Sequence, residues 1–198
     1  MERRLGRQGL VGRGWGATLI GAVLVSACGG AAQEPRQKEN PQGFAVPEQS
    51  PVTAELIAEH ASIQPGGATR IGVHFELERG WHIYAEEPGD AGLPTKVTWQ
   101  GPAGTTFGPL VWPKPGRLLD PGDITTYGYT SDVVLFSSLE YSTPQGNAST
   151  LPLQAKVSWL ACRDVCIPGR ATLSLSLPVS ASAPAMSMHA RLFEHTSE

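Results

Sequence analysis

Two cysteines separated by three residues, Cys162 and Cys166, lie in the stretch Trp159-Leu160-Ala161-Cys162-Arg163-Asp164-Val165-Cys166-Ile167-Pro168-Gly169. Thiols this close can staple the chain, share a metal ion, or exchange disulfides with another protein. A staple closing so small a ring contributes only roughly 2 kcal/mol, and an exposed pair is the easier kind to reduce. A metal needs partners beyond two sulfurs, and His60, His74, His82, His189 and His195 show no ligand spacing. Exchange needs one sulfur open to a partner's thiolate, so that a mixed disulfide can form. Arg163 favours a thiolate at Cys162 while Asp164 opposes it, so local charge does not decide. A Cys-x-x-Cys at a helix start and a βαβ pattern are both lacking, which excludes a thioredoxin. On spacing alone the three readings stay open.

The flanking residues say how the pair is held. Leu151, Leu153, Ala155, Val157 and Trp159 alternate with polar residues, as do Leu173, Leu175 and Leu177 after the cysteines. This predicts two strands joined by a tight connection at Arg163-Asp164-Val165. Trp159 and Ala161 take the buried phase, so Cys162 falls on the outward one. Such a hairpin brings the two Cα atoms within the ~7 Å a disulfide requires.

Period two runs through most of the remaining chain. Val52 to Glu59, Arg70 to Glu78, Trp81 to Tyr84, Lys96 to Gln100 and Val133 to Tyr141 read as strands. Gln64-Pro65-Gly66-Gly67, Asp120-Pro121-Gly122-Asp123 and Thr143-Pro144-Gln145-Gly146-Asn147 read as turns. Val111-Trp112-Pro113-Lys114-Pro115-Gly116-Arg117 is too proline-rich for a central strand and fits an edge or an ordered loop. The expectation is an all-β, immunoglobulin-like antiparallel β-sandwich of about seven to nine strands over residues 51–181. A tail over 182–198 follows, with a short helix expected between Met186 and Phe193.

Glycine (23) and proline (17) together form about a fifth of the 198 residues, which suits a turn-rich β protein. Charged residues are 17% and the net charge is −3. From Cys28 onward the balance is more acidic, at −6. A mildly acidic domain without a basic stripe is a poor nucleic-acid binder.

The N-terminus supplies an address. Arg3, Arg4, Arg7 and Arg13 precede an apolar run from Trp15 to Ala27, the layout of a secretory signal. The run is shorter than the ~20 apolar residues that span a bilayer. Val25-Ser26-Ala27-Cys28 resembles a bacterial lipobox, making 1–27 a lipoprotein signal peptide and Cys28 the lipidated residue. Lipid on Cys28 leaves Cys162 and Cys166 as one pair, in a compartment where disulfides persist. Aspartate does not follow Cys28, so the choice between inner and outer membrane stays open. Residues 28–50 have almost no large apolar side chain and read as a flexible tether.

The stretch Val157 to Gly169, followed by Ala171-Thr172-Leu173-Ser174-Leu175, resembles the N-terminal periplasmic domain of DsbD-type thiol:disulfide interchange proteins. It is closest to the branch with short inter-cysteine spacing. Three further blocks agree in order: Gly80-Trp81-His82-Ile83-Tyr84, Pro88-Gly89-Asp90-Ala91-Gly92-Leu93-Pro94-Thr95, and Trp112-Pro113-Lys114-Pro115 with Tyr127-Gly128-Tyr129. The resemblance covers roughly residues 50–180. It implies an immunoglobulin-like domain whose catalytic pair is Cys162 and Cys166, working without a metal or small cofactor. It implies partners of two kinds, periplasmic thioredoxin-fold proteins and a membrane electron donor, here a separate protein. It also implies a cap over the sulfurs at Asp123 to Tyr129, with Tyr127 the covering aromatic and Thr126 where some relatives carry phenylalanine. His82 and Tyr84 match positions beside the pair, with Asp164 in the loop between the cysteines. The rival expectation is an envelope lipoprotein that binds other molecules and keeps an inert disulfide.

Overall fold

The computed structural model describes residues 50–120, 122–142 and 148–194. The signal peptide, Cys28, the tether, the turn at 143–147 and His195 lie outside the described residues. The alternation on either side of the cysteines folds into the two longest strands, and the other strands are arranged around them. In chain order they are β1 (Val52–Ala58), β2 (Ala68–Leu77), β3 (His82–Gly89), β4 (Lys96–Gln100) and β5 (Thr105–Phe107). Then come β6 (Gly116–Asp120), β7 (Ile124–Tyr129), β8 (Val133–Tyr141), β9 (Thr150–Cys162) and β10 (Cys166–Pro178). Ten strands among the described residues thus stand against an expected seven to nine. β5 spans three residues, too few to show a period. β6 begins where the proline run ends and, among the described residues, lies at a sheet edge paired with β7.

Two antiparallel sheets form the sandwich. One has the order β1-β2-β8-β5; the other runs β10-β9-β3-β7-β6, with β4 also on β9. β9 pairs along its whole length with β10. Its opposite edge is shared, His82 and Ile83 of β3 pairing with Cys162 and Ala161 while β4 takes Ser158 to Gln154. β3 therefore leaves β9 after two residue pairs and continues alongside β7.

Alternation buries Leu151, Leu153, Ala155, Val157, Trp159 and Ala161 from one sheet against Leu56, Ile71, Val73, Phe75, Leu135 and Leu139 from the other. Burial of a Leu- or Phe-sized side chain contributes about 1.5–3 kcal/mol. Phe75 and Trp159 meet edge to face across the sheets, ring centres 5.5 Å apart. The Trp99 indole donates to Ser137 Oγ at 2.8 Å, a second bridge between the layers. Gly169 lies opposite Trp159 in register, and a Cβ there would fall 2.2 Å from the indole. The ring occupies the space that any other residue would need.

A smaller cluster of Ile57, Val134, Phe136 and Phe193 sits on the outer face of the four-stranded sheet. The expected C-terminal helix is reduced to one 3-10 turn, Ala190–Phe193, which brings Phe193 there. Arg70 fastens it, pairing with Glu59 through two nitrogens and donating to the Phe193 carbonyl at 3.2 Å.

Candidate functional site

Cys162 and Cys166 are direct cross-strand partners at the end of the β9–β10 hairpin. Their Cα atoms are 4.1 Å apart and the sulfurs are bonded. That spacing is near the ~4.5 Å of a non-hydrogen-bonded pair, where side chains approach most closely. Arg163-Asp164-Val165 closes the loop with the Arg163 N–H donating to the Val165 carbonyl at 3.1 Å. Arg163 folds back over Trp81, its guanidinium carbon 4.9 Å from a ring centre, and its Nε donates to Asp164 at 3.1 Å. Asp164 is thereby engaged with the loop's own cation, at an exposed position.

The two sulfurs have unlike surroundings. Cys162 is 3% exposed, whereas Cys166 is exposed. The outward phase expected for Cys162 holds, since it alternates with inward Ala161, but outward does not mean solvent-facing here. His82 of β3 stands opposite Cys162, and Tyr84 follows two residues on, on the same face. Both are buried, and their rings meet edge to face at 5.1 Å. Loop residues after β3 lie against Tyr84: a Cβ on Gly92 would fall 2.4 Å from its ring. The Thr95 hydroxyl donates to the Tyr84 carbonyl at 3.0 Å. Cys162 thus belongs to a buried outer layer, with Cys166 at its open rim.

The segment Asp123 to Tyr129 is mostly strand β7, which pairs with β3 and not with β9. Tyr84 pairs with Gly128, but Thr126 pairs with Gly89, three residues later than a regular ladder would give. The extra residues bulge from β3 and redirect its end. Gly89 has φ 90°, and a Cβ there would fall 2.6 Å from the Thr125 carbonyl. Asp90 locks the junction: its N–H donates to the Thr125 carbonyl, and its carboxylate accepts from the Thr125 N–H, both at 2.9 Å. The block Pro88–Thr95 and the expected cap are therefore joined, which their sequence separation concealed.

Within β7 the faces divide. Gly128 and Thr126 share the outer face with Tyr84 and His82, and Thr126 is fully buried. Tyr127 leaves from the opposite face, 39% exposed, into a groove of about 450 Å³ with Glu86, Trp112, Lys114 and Tyr129. The structure brings Thr126, Tyr84 and His82 to the cysteine face and sends Tyr127 elsewhere. The Tyr129 hydroxyl donates to the Pro113 carbonyl at 2.7 Å and ties down the Trp-Pro-Lys-Pro run. Burial pushes that phenol up to about 12, with the Glu86 charge adding to the shift.

An antiparallel sandwich thus presents one exposed and one buried half-cystine at a hairpin end, with Cys166 the sulfur a partner can reach. A family model of the N-terminal domain of the thiol:disulfide interchange protein DsbD matches residues 49–178. The chain belongs to that family. Among curated proteins, no sequence matches it. Among solved structures, the N-terminal periplasmic domain of ScsB from Proteus mirabilis is similar at 20% identity and a TM-score of 0.52. The match covers 75% of this chain and 54% of that one, so the chain spans about half the length of the ScsB domain. The reduced DsbD N-terminal domain of Neisseria meningitidis gives 14% identity and a TM-score of 0.38, covering 67% of this chain and 88% of that one.

Proposed function

We propose that residues 51–181 form an exchange domain that relays two electrons between a membrane reductant and oxidoreductases outside the cytoplasm. The unequal exposure of the two half-cystines carries this reading, because it sets the order of attack. A partner's thiolate attacks Cys166 Sγ, the bond to Cys162 breaks, and Cys162 leaves as a thiolate. The partner is then joined to Cys166. Its second thiolate attacks its own sulfur in that mixed disulfide and releases Cys166 as a thiolate. The two leaving thiolates take up the two protons lost by the partner's thiols, so a dithiol is oxidised as this pair is reduced. Run backwards, the same steps reduce the next protein.

His82, opposite Cys162, is the residue best placed to supply a proton to the thiolate that forms there. Tyr84, Thr126 and the Pro88–Thr95 loop exclude water from that sulfur, and the Asp123 to Tyr129 segment serves as cap through Thr126 rather than Tyr127. Asp164 occupies Arg163 and restrains the loop. Thioredoxin-fold proteins suit the partner role, since they present an exposed thiolate from a dithiol. Cys28 is assigned to a lipid anchor, which leaves Cys162 and Cys166 as the exchanging pair that a membrane reductant re-reduces. Arg-rich residues 1–13 and the lipobox support the periplasmic side of the envelope as the location, with 28–50 as tether.

Trapping tests the order of attack. Mixed with an oxidised partner, whose disulfide the free Cys166 thiolate attacks in the reverse direction, Cys162→Ser should hold that partner covalently through Cys166, and Cys166→Ser should trap at least tenfold less. Equal trapping, or none from either variant, would overturn the relay. The burial of Cys162 and its direct cross-strand register also suit an inert staple in a binding module. A reduction potential below about −300 mV would favour that second reading.

A further inference from the structure

We infer that His74, Glu76 and Asp132 form a binding site for one divalent transition-metal ion of the zinc class. The site is independent of the cysteine pair and of the relay reading. Two-residue spacing puts His74 and Glu76 on one face of β2, and this is the outer face of the four-stranded sheet. Val134 of β8 pairs with His74, which brings Asp132, just before β8, to the same patch. One ligand atom from each of the three residues lies within 4.8 Å of the others.

His74 supplies the observation that acidic side chains alone would not. It is 8% exposed, and its Nε2 is buried with no hydrogen-bond partner among the described residues. That nitrogen points toward the carboxylates, 4.0 Å from Asp132 Oδ2. A buried imidazole nitrogen without a partner is costly, and a metal ion is one way to satisfy it. Ligands at about 2.0–2.2 Å around a tetrahedral ion stand roughly 3.4 Å apart. Small rotations of the exposed Glu76 and Asp132 side chains supply that closure while His74 stays fixed. The Thr53 hydroxyl already donates to Glu76 Oε2 at 3.1 Å, the kind of outer partner that orients a metal-binding carboxylate.

The donor set selects the ion. One neutral imidazole with two carboxylates carries a charge of −2, matching a divalent cation. Calcium takes oxygen ligands only, whereas nitrogen beside carboxylate oxygen suits zinc and its neighbours. Three protein ligands leave one tetrahedral position for water or a partner's side chain.

The test is titration of the oxidised, untagged full chain with zinc chloride, followed by calorimetry and thermal melting, with magnesium as the hard-ion control. One equivalent should bind and raise the melting temperature, with no response to magnesium. Asp132→Asn should weaken zinc at least tenfold. Glu55→Gln, which removes the same charge opposite His74, should change affinity less than threefold. His74→Ala, checked for folding by circular dichroism, should abolish the one-equivalent site. Zinc binding that falls equally in the Asp132 and Glu55 variants, survives in folded His74→Ala, or is missing from the parent chain would overturn the site.

Discussion

Cys162 and Cys166 are identical in chemistry and opposite in setting, and His82 is the side chain facing the buried one. On the proposed order of attack, Cys162 is the leaving thiolate, and an acid beside it accelerates exchange by donating as negative charge develops. His82→Phe keeps an aromatic ring against Tyr84 and removes the proton donor. The exchange rate with a dithiol partner should fall about 100-fold near neutral pH, and the pH–rate profile should lose one ionisation. A parallel drop at every pH, with the profile's shape retained, would assign His82 to packing alone.

The element that prepares this site is the irregular end of β3 together with the loop it feeds. Pairing first with β9, then slipping three residues against β7, β3 carries His82 and Tyr84 from the cysteine strand toward Thr126. Gly92 lets the loop press against the Tyr84 ring, at φ 97°, where a side chain is also strained. Gly92→Ala should lower stability by about 2 kcal/mol in urea unfolding. It should also speed alkylation of Cys162 in the reduced protein, because the cover over the outer layer is displaced. A loss of stability with Cys162 still protected would show that the loop does not shield the sulfur.

At the scale of the molecule, stability rests on the layer between the sheets, and two titrating groups report on its flanks. Tyr129 holds its proton to about pH 12 when folded, against the ordinary 10.0 of a tyrosine phenol. The folded state binds the proton more tightly, so this contribution is complete below pH 10 and lost as pH rises through 12. The loss reaches about 2 kcal/mol. Urea midpoints of Tyr129→Phe should be flat across that window where the parent declines. Glu59 behaves oppositely: Arg70 hydrogen bonds hold its carboxylate below the ordinary 4.5, against an opposing effect of burial. Its contribution is present above that pH and fades as pH falls through the lower folded value.

Alternation around Trp159 to Gly169 was enough to read the hairpin, the phase of Cys162, and the strand-rich sandwich, because period two is a local property of the chain. The same pattern reveals which face a residue takes but not what lies on top of that face. Hence the burial of Cys162, the junction of Asp90 with Thr125, and the departure of Tyr127 to the far side of β7 were not legible. Each depends on pairing between segments distant in the chain, and nothing in either segment alone specifies it. His74 and Glu76 share a face by spacing, yet Asp132 joins them only because β8 pairs with β2. The order of the residues determined a cysteine hairpin on a sandwich; only tertiary structure decided which sulfur is sheltered, since shelter comes from distant chain laid over an outward face.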